Sequence, residues 1–370
     1  MKRITLYLLS CMTSLTASAF TPEMKTMTLS DGEEITARLC LPDDNPVKTI
    51  VFCIHGTGPN TWLNKRDGFN YYDDVADGFC SNGIAFFSYN RRGVDIGETP
   101  PLYNKIDSVK YAKYLPVSEA QDVECMISAL KKDSRFEDCK IILYGISEGT
   151  VIASMVADRK NVPVDAVFLH GYAHESMYDI IKWQNEGHGV MNMVNAAFDR
   201  DGNRKISREE YESDNKEAAG YKKYLFQNLS FETLDAVKDS VIDINDIRVM
   251  REPFNAALME KIVAGDEEWI QKNYFYLTTD WFKQHFALEA NKTRLLRLDI
   301  PIYIFHGTDD ASVPVENVYD LQARFGVSGK NNLHAFVFEK HNHDLNFLYR
   351  HTGKKWSEGY QKIFQCAVEL

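Results

Sequence analysis

The stretch KIILYGISEGTVIASMVAD, residues 140–158, decides the fold. Its first half, Lys140 to Ile146, is a short apolar run of the kind found in a strand buried on both faces, and its second half, from Gly149 on, has helix-forming composition. Between them stands Gly145-Ile146-Ser147-Glu148-Gly149. A chain that passes from strand to helix in so few residues must turn sharply. A side chain at either glycine would collide with neighbouring backbone, and the turn holds the Ser147 hydroxyl outward. Three fixed residues recur by chance in roughly one chain in ten of this length, so the placement between strand and helix carries the weight.

Working outward, the same type of run recurs in TIVFCIHG (49–56), GIAFFSYN (83–90), DAVFLHG (165–171) and IPIYIFHG (300–307), with a further strand at His334 to Glu339. Helical stretches separate the later runs, which predicts a parallel sheet wrapped by helices. The chain opens differently: Lys25 to Leu29 and Glu34 to Leu41 flank Asp31-Gly32 as a hairpin. Between Gly171 and Ile300 lie roughly 125 residues of helical periodicity, far more than one connection of such a sheet needs. Residues 173–298 are therefore expected to be an inserted cap. A helix from about Val315 and a closing helix from Lys354 complete the reading.

Three more motifs follow strands. His55-Gly56-Thr57-Gly58-Pro59 comes after TIVFCI, Gly307-Thr308-Asp309-Asp310-Ala311-Ser312-Val313-Pro314 after IPIYIFH, and His341-Asn342-His343-Asp344-Leu345 after the last strand. Alone, each has a bland reading: a glycine turn, an acidic loop, a polar surface histidine. In the order serine, acid, histidine they resemble the secreted α/β hydrolases of the serine-aminopeptidase and esterase type. The resemblance covers about 20–172 and 299–370.

It implies a mostly parallel, eight-stranded α/β-hydrolase sheet with an inserted, mainly helical cap, divided as 20–172 (core), 173–298 (cap) and 299–370 (core). It also implies Ser147 as nucleophile, His343 as general base and Asp310 as the acid that orients it. The residues alone leave Asp309 and Asp310 open; only Asp310 falls on the acid of the family's G-x-x-D-x-x-V-P run. Likewise His343, followed by Asp344-Leu345, fits the late H-x-L run, and His341 stands second. Two backbone amides, that of Glu148 and that of Thr57, or alternatively Gly58, would form the oxyanion hole. Tyr89 to Gly97 is similar to the family's R-G-x-G loop, with Asp95 in place of the usual glycine, and reads as structural.

Inside the cap, Asp199-Arg200-Asp201-Gly202-Asn203-Arg204-Lys205-Ile206-Ser207-Arg208-Glu209-Glu210 looks like an EF-hand loop. Asp199, Asp201, Asn203, Ser207 and Glu210 stand at loop positions one, three, five, nine and twelve, and Lys205 offers its carbonyl at seven. A structural Ca2+ is expected there. Arg204 at position six, where glycine is usual, departs from the pattern and implies weaker binding. A second loop begins at Asp235, with Asp239, Asp243 and Asp246 at positions five, nine and twelve but Val237 at three; it is expected to be a metal-free partner, Ile242 meeting Ile206. The bland alternative is an acidic turn between helices. The cap's Trp183, Trp269, Tyr274, Phe275, Tyr276, Trp281, Phe282 and Phe286 read mainly as helix packing.

Residues 1–19 read as a secretory signal: Lys2 and Arg3, an apolar run from Ile4 to Leu15, and Ala17-Ser18-Ala19 as cleavage site. A secreted or periplasmic location follows, with lipid anchoring at Cys11 as the alternative. No later run is long enough to be an integral membrane segment. The formal charge is −11, and excision of Lys2 and Arg3 leaves 40 basic residues against 53 acidic, so nucleic acid is not an expected partner. The six later cysteines are too scattered for a zinc or redox motif, and their pairing is not legible. The substrate expected is a small-molecule ester; a short peptide, cleaved by a serine peptidase, is the rival. A catalytically idle calcium-binding module is the alternative from another class.

Overall fold

The computed structural model describes residues 20–43, 46–213 and 216–370. The expected signal segment, 1–19, and with it Cys11, lies outside these. Eight strands build one sheet: β1 (Phe20–Thr28), β2 (Glu34–Pro42), β3 (Thr49–Ile54), β4 (Ala85–Tyr89), β5 (Lys140–Ile146), β6 (Ala166–His170), β7 (Ile302–Gly307) and β8 (Leu333–Phe338). Their order across the sheet is β1-β2-β4-β3-β5-β6-β7-β8. The opening hairpin runs antiparallel, and β2 is antiparallel to β4; every pairing from β4 to β8 is parallel.

Parallel neighbours require crossovers, and these supply the helices that cover both faces. On one face α1 (Tyr71–Cys80) packs Val75, Ala76 and Phe79 onto Val51, Phe86 and Tyr144. On the other, α2 (Pro116–Lys131) and α3 (Gly149–Arg159) cover Ile50, Phe52, Leu143 and Leu169. Alternate residues of each central strand thus point into different apolar layers, which is why the runs carry no polar face.

The cap leaves the sheet after β6 and returns at β7. Its main helices are α4 (Met177–Asn185), α5 (His188–Phe198), α6 (Ile244–Ala264), α7 (Glu267–Asn273) and α8 (Thr279–Ala287). Two packing units are visible. Leu258, Ile262, Ile270, Trp281 and Phe282 continue the main core, whereas Phe198, Ile206, Tyr211, Phe231, Leu234, Ile242 and Ile247 form a separate small core around the paired acidic loops.

After β7 come α9 (Glu316–Ser328) and α10 (Glu358–Glu369). The closing helix begins four residues later than the sequence suggests. Lys354 takes a left-handed φ of 54°, and Ser357 caps the helix by accepting from the Tyr360 amide, so the first turn cannot form earlier. None of the six described cysteines forms a disulfide; all but Cys125 are buried.

Candidate active site

Ser147 sits between β5 and α3 with φ of 54°, a left-handed conformation that a serine adopts only when its surroundings impose it. Those surroundings are backbone. A Cβ on Gly145 would lie 2.4 Å from the Gly149 carbonyl oxygen, and one on Gly149 would lie 2.3 Å from that of Ile54. Both glycines are therefore obligatory, as the turn reading required. Gly56, on the facing loop, comes within 3.3 Å of Ser147 Cβ by the same measure.

His343 Nδ1 lies 2.7 Å from Asp310 Oδ2. The other oxygen, Oδ1, accepts from the amides of Ser312 and Val313 at 2.7 and 3.0 Å. Burial alone would raise the Asp310 pKa, but the His343 charge and hydrogen bond overcome it and hold the carboxyl down to about 2. Burial alone would lower that of His343; the Asp310 carboxylate overcomes this and raises it above the ordinary imidazole value. Asp309 instead accepts from the Thr308 hydroxyl, and His341 binds the Glu339 carbonyl. Of the two neighbouring pairs, then, Asp310 and His343 meet each other.

Ser147, Glu148, Thr57 and His343 border one cavity of about 670 Å³. No hydrogen bond joins the Ser147 hydroxyl to His343 among the described residues. The amides of Thr57 and Glu148 donate to no acceptor among the described residues, and Gly58 does not border the cavity. Glu148 precedes the first turn of α3, where unpaired amides favour negative charge.

Several supporting residues carried no signal in the sequence. Gly171 at the end of β6 has φ of 61°, and a Cβ there would stand 2.5 Å from Cε1 of His343. Arg91 in the Tyr89–Gly97 loop pairs with Glu119 at 2.9 Å and donates to the Gly56 carbonyl at 2.8 Å; that loop is structural in the specific sense that it holds the Gly56–Thr57 turn. His306 is buried and pushed toward the neutral ring; its Nδ1 accepts the Tyr172 amide and its Nε2 faces the Val313 carbonyl.

The Glu148 side chain is wholly buried and joins core to cap. Its carboxylate accepts from Trp281 Nε1 at 3.1 Å and His285 Nε2 at 2.8 Å, both on α8, and from the Tyr114 hydroxyl. Burial opposes its charge, but these bonds and the nearby Arg91 lower its pKa to about 2. On the other side Gln184 of α4 donates to the Ser312 carbonyl at 2.8 Å, and Asn192 of α5 to that of Asp310 at 3.2 Å. Tyr274, Phe275 and Trp281 border the cavity, while Phe254 and Trp269 pack against each other.

The loop 199–210 brings carboxylate oxygens of Asp199, Asp201 and Glu210 within 4.8 Å of one another, and 235–246 does the same with Asp235, Asp239 and Asp246. Ile206 pairs with Ile242 in a short antiparallel bridge. Arg204 adopts φ of 61°, the turn expected to strain a non-glycine residue. Asn203 Oδ1 accepts the Lys205 amide, and the Ser207 hydroxyl donates to Glu210.

No protein-family model matches the sequence, and no curated protein matches it. Solved structures do. A highly thermostable carboxyl esterase from Bacillus coagulans is 13% identical, with a TM-score of 0.52, covering 94% of this chain and 97% of that one. An esterase of Pyrococcus furiosus is also 13% identical, with a TM-score of 0.50 over 94% and 90%. The acylaminoacyl peptidase of Pyrococcus horikoshii is 12% identical, with a TM-score of 0.50 over 94% of this chain and 41% of that one. Together with the strand order and the cap insertion, these likenesses show that the chain has the α/β-hydrolase fold.

Proposed function

We propose that the protein is a serine hydrolase that cleaves carboxylic esters through an acyl-enzyme. The observation that carries this is the convergence on one cavity of Ser147, of His343 bonded to the buried Asp310, and of two unengaged amides. In this reading His343 Nε2 takes the Ser147 proton as Oγ attacks the ester carbonyl. The amides of Thr57 and Glu148 hold the oxyanion, and the alcohol leaves with the proton from His343. Water then attacks the acyl group, gives its proton to His343, and releases the acid as Ser147 recovers its hydrogen.

A peptidase is the second reading. Asp344, next to His343 and on the cavity wall, offers a carboxylate for the ammonium of a short peptide. Turnover of p-nitrophenyl esters beside aminoacyl p-nitroanilides, with Ser147→Ala as control, decides between them. Ester turnover that disappears in the variant, by about six orders of magnitude in kcat, supports the esterase. Preference for the anilides supports the peptidase, and an unlabelled Ser147 after treatment with a fluorophosphonate sinks both.

We propose further that the loop 199–210 holds Ca2+. Its donors are hard oxygens, the type this ion takes, with Asp199, Asp201, Asn203, Ser207, Glu210 and the Lys205 carbonyl as ligands. The ion would neutralise carboxylates that repel one another and so stiffen the cap; it takes no part in acyl transfer. The leader at 1–19 places the enzyme outside the cytoplasm in this proposal. N-terminal sequencing of secreted protein, expected to begin at Phe20, tests it against lipidation at Cys11.

A further inference from the structure

Among the described residues, Arg66 is the one lysine or arginine on the wall of the cavity that holds Ser147 and His343. It belongs to a two-residue strand, Lys65–Arg66, paired antiparallel with Phe69–Asn70 so that Arg66 stands opposite Phe69. Backbone bonds from Tyr71 to the Asn64 carbonyl and from Tyr72 to that of Leu63, each 3.2 Å, clip this hairpin to the start of α1. The position of Arg66 is thus fixed before any ligand arrives.

Its side chain is half-buried, and among the described residues it donates a hydrogen bond only to the carbonyl of its own neighbour, Lys65, at 3.3 Å. No carboxylate lies within ion-pair distance among the described residues, although acids surround the hairpin. Asp67 accepts from the Tyr103 hydroxyl, and Asp73 is engaged by Arg38 and Asn70. Asp74 pairs with His351 and Arg350. Asp344, on the same cavity wall, accepts from the Tyr71 hydroxyl at 3.2 Å. In a chain with 53 acidic residues against 42 basic, Asp67, Asp73 and Asp74 are thus occupied elsewhere, while the Asp344 carboxylate acts on Arg66 through its charge without a direct ion pair. A half-buried guanidinium that no carboxylate engages directly keeps donors open to a ligand, and its planar fork matches a carboxylate.

The cap side of the cavity differs in kind: Met177, Ile180 and Ile181 of α4 and Val190 and Met193 of α5 give it an apolar wall. We propose that Arg66 anchors a carboxylate of the substrate, so that the ester cleaved carries an apolar portion and a free carboxylate. This rests on the hydrolase reading of the cavity.

The test compares p-nitrophenyl hexanoate with the mono-p-nitrophenyl ester of adipic acid, which has the same carbon chain ending in a carboxylate. Wild-type enzyme is expected to favour the adipate ester in kcat/KM, chiefly through KM. Arg66→Ala should reduce the adipate-to-hexanoate ratio by about 10-fold or more, in line with a lost charge-assisted hydrogen bond, and Arg66→Lys should restore part of it. Added salt should narrow the wild-type preference. An unchanged ratio in Arg66→Ala, or an equal fall with both esters, overturns the proposal and leaves Arg66 a structural residue. If neither ester turns over, the esterase reading fails separately. Calorimetric titration with monomethyl adipate then decides on Arg66: binding lost in Arg66→Ala supports the anchor, and binding that is absent or unaltered overturns it.

Discussion

On the core side of the cavity, reactive positions are fixed by backbone lying against backbone. Gly145 and Gly149 have no room for a methyl group against the backbone that faces them, Gly171 has none against the His343 ring, and Asp310 is held by two amides of its own loop. On the cap side most of the wall consists of side chains and, apart from the close backbone approach of Gly189 in α5 to the Ala311 carbonyl, the attachments at the site are side-chain bonds: α8 to Glu148, α4 and α5 to the acid loop. The difference teaches where tolerance lies. A strand-to-helix turn admits few sequences, whereas the apolar side chains that α4 and α5 present to the cavity can change without disturbing that turn.

The cap contains its own contrast. Loops 199–210 and 235–246 share a backbone: φ is positive at position four in Gly202 (76°) and Lys238 (62°), and at position six in Arg204 (61°) and Ser240 (72°). Both end in a capping box, Ser207 with Glu210 and Asp243 with Asp246. They differ in donors, since Val237 stands where the first loop has Asp201. The paired loop shape is thus kept without the full ligand set.

Asp310→Asn should cut kcat by about 10⁴, the loss that a core built on exact geometry implies. Because the carboxylate raises the His343 pKa, wild-type kcat/KM should rise with pH through a midpoint above the ordinary imidazole value, as the base becomes neutral. In the variant that midpoint should move to lower pH; an unmoved acid limb would assign it to another group.

Glu148→Gln addresses the joint between the two sides. Removing the charge from a buried carboxylate that accepts three hydrogen bonds costs about 1.5–3 kcal/mol, so the variant should unfold at lower urea and expose residues 173–298 to protease. The wild-type carboxyl falls from its ordinary 4.5 to about 2 on folding. Its contribution is therefore full above the unfolded value and is lost as pH drops toward 2. Protease resistance of the cap equal to wild type would show that α8 is held by other contacts.

With Gly171→Ala the added methyl meets His343. We expect kcat to fall by about 100-fold, the usual result of displacing a catalytic group by about 1 Å, with circular dichroism unchanged. Full activity would mean that the ring has space to move.

The smallest effect should come from the acidic loops. EGTA is expected to lower stability by about 1–2 kcal/mol, as mass action gives for a weakly held ion, and Asp199→Ala should abolish the response while Asp235→Ala leaves most of it. Equal responses in the two variants would erase the distinction between the loops.

The sheet was legible because strands buried on both faces are continuous apolar runs, and the elbow because its glycines are local. Asp310 and His343 needed the resemblance to separate them from Asp309 and His341; the structure shows the hydrogen bond that joins them. Glu148 with His285, Gly171 with His343, and Arg91 with Gly56 left no local trace. Each contact joins distant positions, and nothing within a few residues of either partner announces the other.

Insertion of the cap between β6 and β7 also has a consequence for how the chain is made. Val167 pairs with Ile302, so on a ribosome the outer edge of β6 has no neighbour until more than a hundred further residues have been added. At about 5–20 residues per second, that edge waits on the order of 10 s. Meanwhile it offers unpaired amides and carbonyls to any passing strand. Asp310 and His343 arrive later still, and the nascent polypeptide therefore carries Ser147 well before the two residues proposed to arm it.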